Sequence, residues 1–262
     1  MRYVFTDFDE FADAISGLNG RYIPTARSSK QWWIDPVRLG ALRLQQLQVG
    51  GASTFAGDGE EEDGLTIGIP LTDASAIRID GMSMPEDSFI LIRKDRPLTY
   101  SAQDVTRWAG VSIPAWMDVG MHFRDAAEWS AATLSETTVR ANNAAPLRRV
   151  SLLIALLCSG DELINVVDPA AIAAAEEEVL LASAQLLRAS SCSRPSRAGR
   201  PPVARERIIA RCLEFFREAM GKPMLVSDLC RAVNVSERTL RNIFYEYFGV
   251  GPVRFLKARQ LQ

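Results

Sequence analysis

The order of hydrophobic and polar residues predicts strands in the first hundred positions of the chain. Apolar and polar residues alternate over 37–49, and short apolar, β-rich runs occupy 65–71, 75–80 and 88–94. Alternation with a period of two is typical of strands, and the glycine- and acid-rich segments between these runs are turn signals. Short strands at this spacing favour a small barrel or sandwich.

After residue 100 the pattern predicts helices. Residues 118–129 are amphipathic, 146–159 predict a short buried helix, and 168–190 are the longest helical candidate. Asp168 is placed to cap this last helix, because Pro169 follows it at the first helical position. Apolar residues recur along it at helical spacing: Ile172, Val179, Ala182 and Leu186. Such a stripe indicates core, and an alanine-rich helix beside a linker also suits a dimer contact.

The chain divides at a segment without hydrophobic periodicity. Residues 189–203 are rich in Ser, Pro, Gly and Arg, and we predict a linker there. It separates an N-terminal domain, residues 1–188, from a helical domain, residues 204–262. The helical domain opens with an amphipathic helix whose inner face is predicted to hold Ile208, Cys212, Phe215 and Phe216.

Composition argues against several classes of protein. No apolar run approaches the roughly 20 residues that span a bilayer, and the N-terminus lacks the apolar stretch of a signal peptide. Four cysteines without CxxC spacing (Cys158, Cys192, Cys212 and Cys230) predict reduced thiols in a cytoplasmic protein and no metal site. The single histidine, His122, makes a metal-dependent enzyme an improbable alternative, so we expect no catalytic residues and no cofactor.

Charge is distributed unevenly beneath a net charge of −2. Residues 188–262 contain 15 Lys and Arg against 6 Asp and Glu, whereas the remainder contains 15 against 26. A basic C-terminal part predicts a polyanionic partner, and nucleic acid is the favoured one.

Residues 227–244 predict two short helices that meet across a tight turn at 233–236. The apolar positions form a small shared core: Leu229, Val233, Val235, Leu240 and Phe244. Ser236 is placed to cap the second helix with its hydroxyl. The outer face of that helix then carries Arg238, Arg241, Asn242 and Tyr245. Because Arg binds the O6 and N7 atoms of guanine and Asn binds adenine, this face suits a major groove.

This segment resembles the first helix-turn-helix of AraC/XylS-type transcription regulators. The resemblance covers about 55 residues and rests on one ordered set: Ser236, Arg238, Leu240, Phe244, Gly249, Pro252, Phe255, Leu256 and Arg259. It implies promoter DNA as partner and DNA-binding roles for Ser236, Arg238, Arg241, Asn242 and Tyr245. It also implies an α+β fold, with a small cupin-like β-barrel that senses a ligand and helices that form a homodimer. The family has two helix-turn-helix units, so we expect either a longer protein or a missing second unit beyond Gln262.

Two polar clusters in the N-terminal domain are candidates for an effector site. The segment 21–33 supplies Arg21, Thr25, Arg27, Ser28, Lys30 and Trp32, and a second segment supplies Arg78, Asp80 and Ser83. Arg side chains bind phosphate and guanine edges, Asp accepts from the guanine N1 and N2 groups, and Trp stacks on bases. Trp32 and Trp33 point to opposite faces if they lie in a strand, so only one is expected to stack.

These clusters are loosely similar to PilZ-type recognition of cyclic di-GMP, in which an RxxxR motif meets a (D/N)xSxxG motif. Arg21 and Arg27 are separated by five residues instead of three, and Asp80 and Ser83 by two instead of one. The resemblance implies cyclic di-GMP as the effector and, for an AraC-type regulator, a role in exopolysaccharide production. Other interpretations stay open: solvated loop charges, a simple Asp80-Gly81 turn, a sugar, amine or organic acid as effector, or a DNA-binding protein without a ligand.

Overall fold

The computed structural model describes residues 1–26, 30–60, 63–94, 96–117, 137–159, 168–191, 205–218 and 224–260. The strands are β1 Tyr3–Phe5, β2 Asn19–Pro24, β3 Trp32–Leu39, β4 Leu42–Val49, β5 Ser53–Asp58, β6 Asp63–Pro70, β7 Ile77–Ile79, β8 Met82–Ser83, β9 Ser88–Ile92, β10 Leu98–Ala102, β11 Thr106–Pro114, β12 Thr138–Ala141 and β13 Ser190–Ser191. The helices are α1 Phe8–Ala14, α2 Ala144–Ser159, α3 Pro169–Arg188, α4 Arg205–Glu218, α5 Val226–Val233, α6 Glu237–Phe248 and α7 Pro252–Gln260.

The strands form two antiparallel sheets. An eight-stranded sheet has the order β1-β3-β4-β11-β6-β9-β12-β13, and a five-stranded sheet has the order β2-β5-β10-β7-β8. Neither order returns to its first strand, so the predicted barrel is not closed. The two sheets instead pack face to face as a sandwich.

An aromatic core fills the space between the two sheets. It combines side chains from α1, from the inner face of the five-stranded sheet and from the facing side of the eight-stranded sheet. Tyr22, Phe55 and Tyr100 come from β2, β5 and β10, and Trp32 comes from β3. Tyr22 contacts Phe55 and Trp32 with ring centroids 4.9 and 5.7 Å apart, respectively. Burial of these rings holds the sheets together, because large aromatic side chains contribute most of the apolar area in such a core.

A second core lies between the other face of the eight-stranded sheet and the helices α2 and α3. The eight-stranded sheet is therefore covered on both sides, and β11 in its interior is buried at seven of its nine positions. A strand buried on both faces loses its alternating pattern. For this reason the expectation of helices alone after residue 100 is wrong, since β10, β11 and β12 follow that position or cross it.

Helix α3 confirms the prediction for this segment in detail. It begins after Asp168, whose carboxylate accepts a hydrogen bond from the Ala170 amide at 3.2 Å. Three residues of the predicted stripe are buried in the second core, and Ile172 packs against its edge. The stripe is thus core, as the spacing indicates. The predicted helix at 118–129 lies outside the described residues.

Helix α2 is only half-buried, which corrects the prediction of a buried helix. Val150, Ile154 and Cys158 face the second core. Leu152 and Leu156 lie one turn apart on the opposite side and are 69% and 66% exposed.

A third core unites helices α4 to α7. Ile208, Cys212 and Phe216 of α4 are buried, and Phe215 packs at the margin, as the predicted inner face requires. Phe216 and Phe255 stack with centroids 5.3 Å apart. We refer to residues 205–260 as the C-terminal module and to residues 1–191 as the N-terminal module.

The C-terminal module packs against the outer face of the five-stranded sheet. Ile23 of β2 is 5% exposed and belongs to the third core, and Ala56 of β5 packs against it. Helix α6 contacts β10, and helix α7 contacts β2. The molecule is therefore layered, with helices α4 to α7, the five-stranded sheet, the eight-stranded sheet and helices α2 and α3 in that order.

The predicted linker begins within an ordered strand. Ser190 and Ser191 form β13, which pairs with Ala141 and Arg140 of β12. Residues 192–204 lie outside the described residues. Among the helices that the structure describes, none has the length and apolar character required to cross a membrane.

Candidate nucleic-acid interface and effector residues

Helices α5 and α6 are joined by the three-residue turn Asn234-Val235-Ser236. Asn234 ends α5 in the left-handed region at a φ of 54°. The Ser236 hydroxyl accepts a hydrogen bond from the Thr239 amide at 3.2 Å, so it caps α6 as predicted. Leu229 of α5 and Leu240 of α6 are both fully buried and fix the angle between the two helices.

The solvent-facing side of α6 presents two cations, an amide and an aromatic ring. Arg238, Arg241, Asn242 and Tyr245 are all exposed, and Tyr245 is 56% exposed. Glu237 accepts a hydrogen bond from Arg241 over 2.8 Å at the i, i+4 spacing. The DNA-binding residues predicted from the sequence omit Glu237, although its position four residues before Arg241 on the same helix predicts this ion pair. The face combines cationic and amide donors suited to phosphates and base edges.

Packing against the N-terminal module leaves this face uncovered. The contacts are made by the far side and the end of α6, where the Tyr247 ring and the Glu246 stem lie against Gly81. A Cβ at Gly81 would lie only 3.1 Å from the Tyr247 ring. Arg254 of α7 donates a hydrogen bond to the Thr25 carbonyl. One helix thus carries the exposed polar face and the contact between modules on different sides.

Neither tryptophan of the predicted effector segment offers an open ring face. Trp32 is 3% exposed and packs in the aromatic core against Phe8 and Phe11, with each ring centroid 4.9 Å away. Trp33 is 7% exposed, and the Arg2 guanidinium carbon lies 3.9 Å from its ring centroid. The expected stacking role of Trp32 is corrected to a core role, because the ring is buried between the sheets and the aromatic side chains of Phe8 and Phe11 pack against it there.

The second cluster forms a tight hairpin between β7 and β8. Asp80 and Gly81 both have positive φ, 51° and 76°, which is the backbone of a two-residue type I′ turn. The Asp80 carboxylate accepts from the Thr99 amide at 2.8 Å and from its hydroxyl at 3.2 Å. Arg78 and Ser83 are exposed on the paired strands. The Asp80 carboxylate therefore fixes the turn to β10 through Thr99. The interpretation of Asp80-Gly81 as a simple turn describes these two residues.

The first cluster is dispersed along the edge of the five-stranded sheet. Arg21 is exposed on β2, and its Nε lies 3.9 Å from the Asp9 carboxylate. Thr25 is buried at the contact between modules, where its carbonyl accepts from Arg254. Lys30 is exposed two residues before β3 begins. The predicted residues Arg27 and Ser28 lie outside the described residues.

The two clusters lie on one sheet but do not converge. Arg21 pairs with Ala56, Ala56 pairs with Thr99, and the Asp80 amide donates to the Thr99 carbonyl. These three steps place the backbones of Arg21 and Asp80 about 14 Å apart at the usual strand spacing. Thr99, which lies between them, is 3% exposed.

The sandwich interior contains one further candidate space, a cavity of about 40 Å³. Its lining is mainly apolar, with Gln45 and Thr66 among the polar side chains. The volume suits a few water molecules and is too small for a sugar. Within the described residues, no group of three or more His, Cys, Asp or Glu side chains is arranged to hold a metal ion.

The buried thiols have no features of reactive groups. Burial raises the pKa of Cys158 to about 12, and burial raises that of Cys212 to about 12 as well. Both therefore stay protonated at neutral pH, so neither has the thiolate character of a reactive cysteine. Cys192 lies outside the described residues.

Comparison with solved structures shows the class of fold to which this architecture corresponds. In the described residues, the arrangement of a β-sandwich, two helices behind it and a terminal module of four helices is similar to an AraC-like fold. The similarity is to the crystal structure of the AraC-like transcriptional activator CuxR, with a TM-score of 0.50 and 12% sequence identity. It covers 100% of this chain and 93% of that chain. A scan against models of known protein families finds no match.

Proposed function

We propose that this protein is a DNA-binding transcription regulator that responds to a small ligand. The observation that carries the proposal is the exposed face of α6, with Arg238, Arg241 and Asn242 projecting from a helix whose opposite side is fixed by packing. The AraC-like fold supports it, as does the excess of 15 cationic over 6 acidic residues within 188–262. Helix α6 enters the major groove, and the capping residue Ser236 lies near the phosphate backbone.

Selection of bound duplexes from a random library tests this proposal. The wild-type chain enriches a common DNA sequence. Asn242→Ala relaxes the base preference at one position of that sequence and keeps the preference at the other positions. Glu86→Gln, an exposed change on the N-terminal module, serves as the control and leaves the enriched sequence unchanged. The proposal is overturned if the duplexes bound by the wild-type chain share no common sequence.

We propose that cyclic di-GMP is the effector and that the exposed cations Arg21, Lys30 and Arg78 bind it. The support is their exposure on one module and the affinity of guanidinium groups for phosphate and guanine edges. Because Trp32 is core, recognition relies on these cations and on Ser83 without a stacked indole ring.

Isothermal titration with cyclic di-GMP tests the effector. Wild-type protein binds with micromolar affinity or tighter, and Arg78→Ala weakens binding about tenfold or more, as expected for the loss of a bidentate contact. Arg107→Ala removes an exposed arginine from β11 and leaves the affinity unchanged. Equal affinity in both variants would contradict the assignment of Arg78.

We further propose a homodimer that forms through α2. Leu152 and Leu156 are adjacent exposed leucines on this helix, and Leu181 on the neighbouring α3 is 40% exposed. Sedimentation of Leu156→Glu shows a monomer where the wild type is a dimer. Leu225→Glu, a change at a leucine that is 66% exposed in the C-terminal module, leaves the dimer intact. A monomeric wild type, or a dimer in both variants, contradicts this surface.

A further inference from the structure

Glu237 is an acidic residue on the helix face that the proposed function assigns to DNA. Helix α6 contains two acidic residues, and the other one, Glu246, forms an ion pair with Arg205 of α4 and lies beside Gly81 at the contact between modules. Glu237 is the first residue of α6 and directly follows the capping residue Ser236. A carboxylate there is repelled by the phosphates of a duplex. In a DNA-binding helix, a hydrogen-bond donor on a base edge would offset this repulsion.

Glu237 belongs to one row of side chains with Arg241 and Tyr245. The three residues stand at i, i+4 and i+8 along α6, and each is exposed. Residues at this spacing lie one above the other on the same face of a helix. The side chains of Glu237 and Arg241 are 59% and 57% exposed, so a DNA groove has access to both. From the beginning of the helix, the row therefore presents an acceptor, a cationic donor and a ring.

The head groups of Glu237 and Arg241 are joined by one hydrogen bond. Arg241 Nη2 donates to Glu237 Oε1 at 2.8 Å. A guanidinium and a carboxylate each have several more donor or acceptor positions than one such bond uses. Exposed ion pairs at this spacing contribute little to the stability of a helix. The main effect of the pair is therefore to hold both head groups in a fixed relative position at the exposed face.

The edges of guanine and cytosine in the major groove complement these two head groups. Guanine presents the acceptors O6 and N7, to which Arg donates bidentately, and cytosine presents the N4 amino donor, which a Glu carboxylate accepts. The Cα atoms of Glu237 and Arg241 are about 6 Å apart along the helix axis, and their head groups are 2.8 Å apart. The step between base pairs, about 3.4 Å, lies between these two values. The two side chains are therefore spaced for adjacent base pairs.

We infer that Glu237 determines specificity for a cytosine one base-pair step from the guanine that Arg241 binds. The inference rests on the proposed binding of DNA by α6 and adds an acidic residue to the cationic and amide groups of that face. Thymine has the O4 acceptor where cytosine has the N4 amino group, so the carboxylate binds cytosine and repels thymine. Glu237 also disfavours unselected DNA, because its charge opposes the phosphates wherever no cytosine donor is present.

Selection of bound duplexes with three forms of the full chain tests the assigned base. The wild-type chain enriches a sequence that contains the cytosine. Glu237→Gln keeps the side-chain shape without the charge, and because a glutamine amide binds adenine N6 and N7, we expect adenine to replace that cytosine. Glu214→Gln is the matched control, the same change at an exposed residue of α4, and it leaves the enriched sequence unchanged.

Fluorescence anisotropy with defined duplexes measures the size of the effect. Exchange of the assigned C·G pair for U·A removes the N4 amino donor without adding the methyl group of thymine. We expect this exchange to weaken binding of the wild type about tenfold and binding of Glu237→Gln by less than about twofold, since an amide both donates and accepts. On an unselected duplex, Glu237→Gln binds about twofold more tightly than the wild type, because it has one negative charge fewer.

The outcomes separate this inference from the proposed function. A wild-type sequence preference that Glu237→Gln leaves unchanged overturns the inference and leaves the proposed DNA binding in place. The same conclusion follows if U·A weakens both proteins equally, because a purely stabilising Glu237 would affect all duplexes alike. If the duplexes bound by the wild-type chain share no common sequence, both the inference and the proposed function are overturned.

Discussion

The two faces of the five-stranded sheet are buried by different kinds of side chain. The inner face carries Tyr22, Phe55 and Tyr100 into a continuous aromatic core. The outer face is also buried beneath the C-terminal module, but there the small polar residues Thr54, Thr99 and Ser101, each at most 3% exposed, lie beside the apolar Ile23. The Ser101 hydroxyl there has no hydrogen-bond partner among the described residues.

From this difference we expect the inner face to be a permanent core and the outer face to be a contact that opens. Apolar and aromatic burial makes the inner face part of the folded N-terminal module, because exposing it costs several kcal/mol for each large side chain. The outer face has hydroxyls that water satisfies as well as protein does. Contacts between domains of this polar character resemble transient interfaces, so we expect the C-terminal module to detach while the sandwich stays folded.

Removing a ring from the inner face is the change with the largest expected effect. Phe55→Ala destabilises the N-terminal module by about 3–5 kcal/mol, as large-to-small changes in an aromatic core do. Urea unfolding followed by tryptophan fluorescence measures it. Val4→Ala, at a residue that is 52% exposed on β1, is the control and changes stability by less than about 0.5 kcal/mol. Similar values for the two variants would contradict the assignment of the inner face as core.

A charge on the outer face breaks the contact between modules. Ile23→Asp places a carboxylate in the third core, and we expect the C-terminal module to detach because an unpaired charge is not tolerated there. Small-angle scattering shows a larger radius of gyration, while circular dichroism shows that the strands persist. Loss of the strand signal in Ile23→Asp would show that the two faces form one inseparable unit.

Alkaline pH weakens both modules through their buried thiols. The pKa of Cys158 and that of Cys212 are raised from 9.0 to about 12, so the unfolded state releases these protons first. The stability contribution is complete below pH 9 and is lost as the pH rises toward 12, at up to about 1.4 kcal/mol per pH unit for each thiol. Urea midpoints between pH 8 and about 10.5 measure this slope.

Cysteine variants assign that slope to its source. Cys158→Ala and Cys212→Ala each flatten it, whereas Cys230→Ala changes it less because Cys230 is only partly buried. An unchanged slope in all three variants would contradict the role of thiol burial.

The contact of Arg254 with the Thr25 carbonyl has the smallest expected effect. Arg254→Ala removes this hydrogen bond at the outer face and weakens the contact between modules by about 1 kcal/mol or less, since the arginine is partly solvated. Faster hydrogen exchange in β2 with unchanged exchange in β4 reports it. Lys257→Ala on the same helix is the control, and equal effects of the two changes would remove Arg254 from this role.

Local signals in the sequence predicted local structure well. Asp168 with Pro169, and Ser236 with its following apolar positions, fix where α3 and α6 begin because capping depends on adjacent residues. The order of the strands was not predictable in this way, since β11 pairs with β4 and β6 across long sequence separations. The barrel expectation failed for that reason.

The two candidate sites differ in the same way in how far the sequence predicts them. The exposed face of α6 follows from helical periodicity alone, and Arg238, Arg241 and Asn242 are exposed where the spacing puts them. The effector clusters required knowledge of which strands are neighbours. The backbones of Arg21 and Asp80 lie about 14 Å apart at the usual strand spacing, and Trp32 turns inward. Composition suggested residue types suited to a nucleotide, but it could not show that they lie apart in the fold.

A titration of two arginine variants on DNA tests the central claim, that the exposed face of α6 reads DNA. Arg241 lies on this face, and Arg211 is an exposed arginine on α4 in the same module, so both variants lose the same charge. With a selected duplex, fluorescence anisotropy should show about a tenfold or greater loss of affinity for Arg241→Ala. The account predicts that Arg211→Ala stays within about twofold of the wild type. Equal losses in the two variants would contradict it.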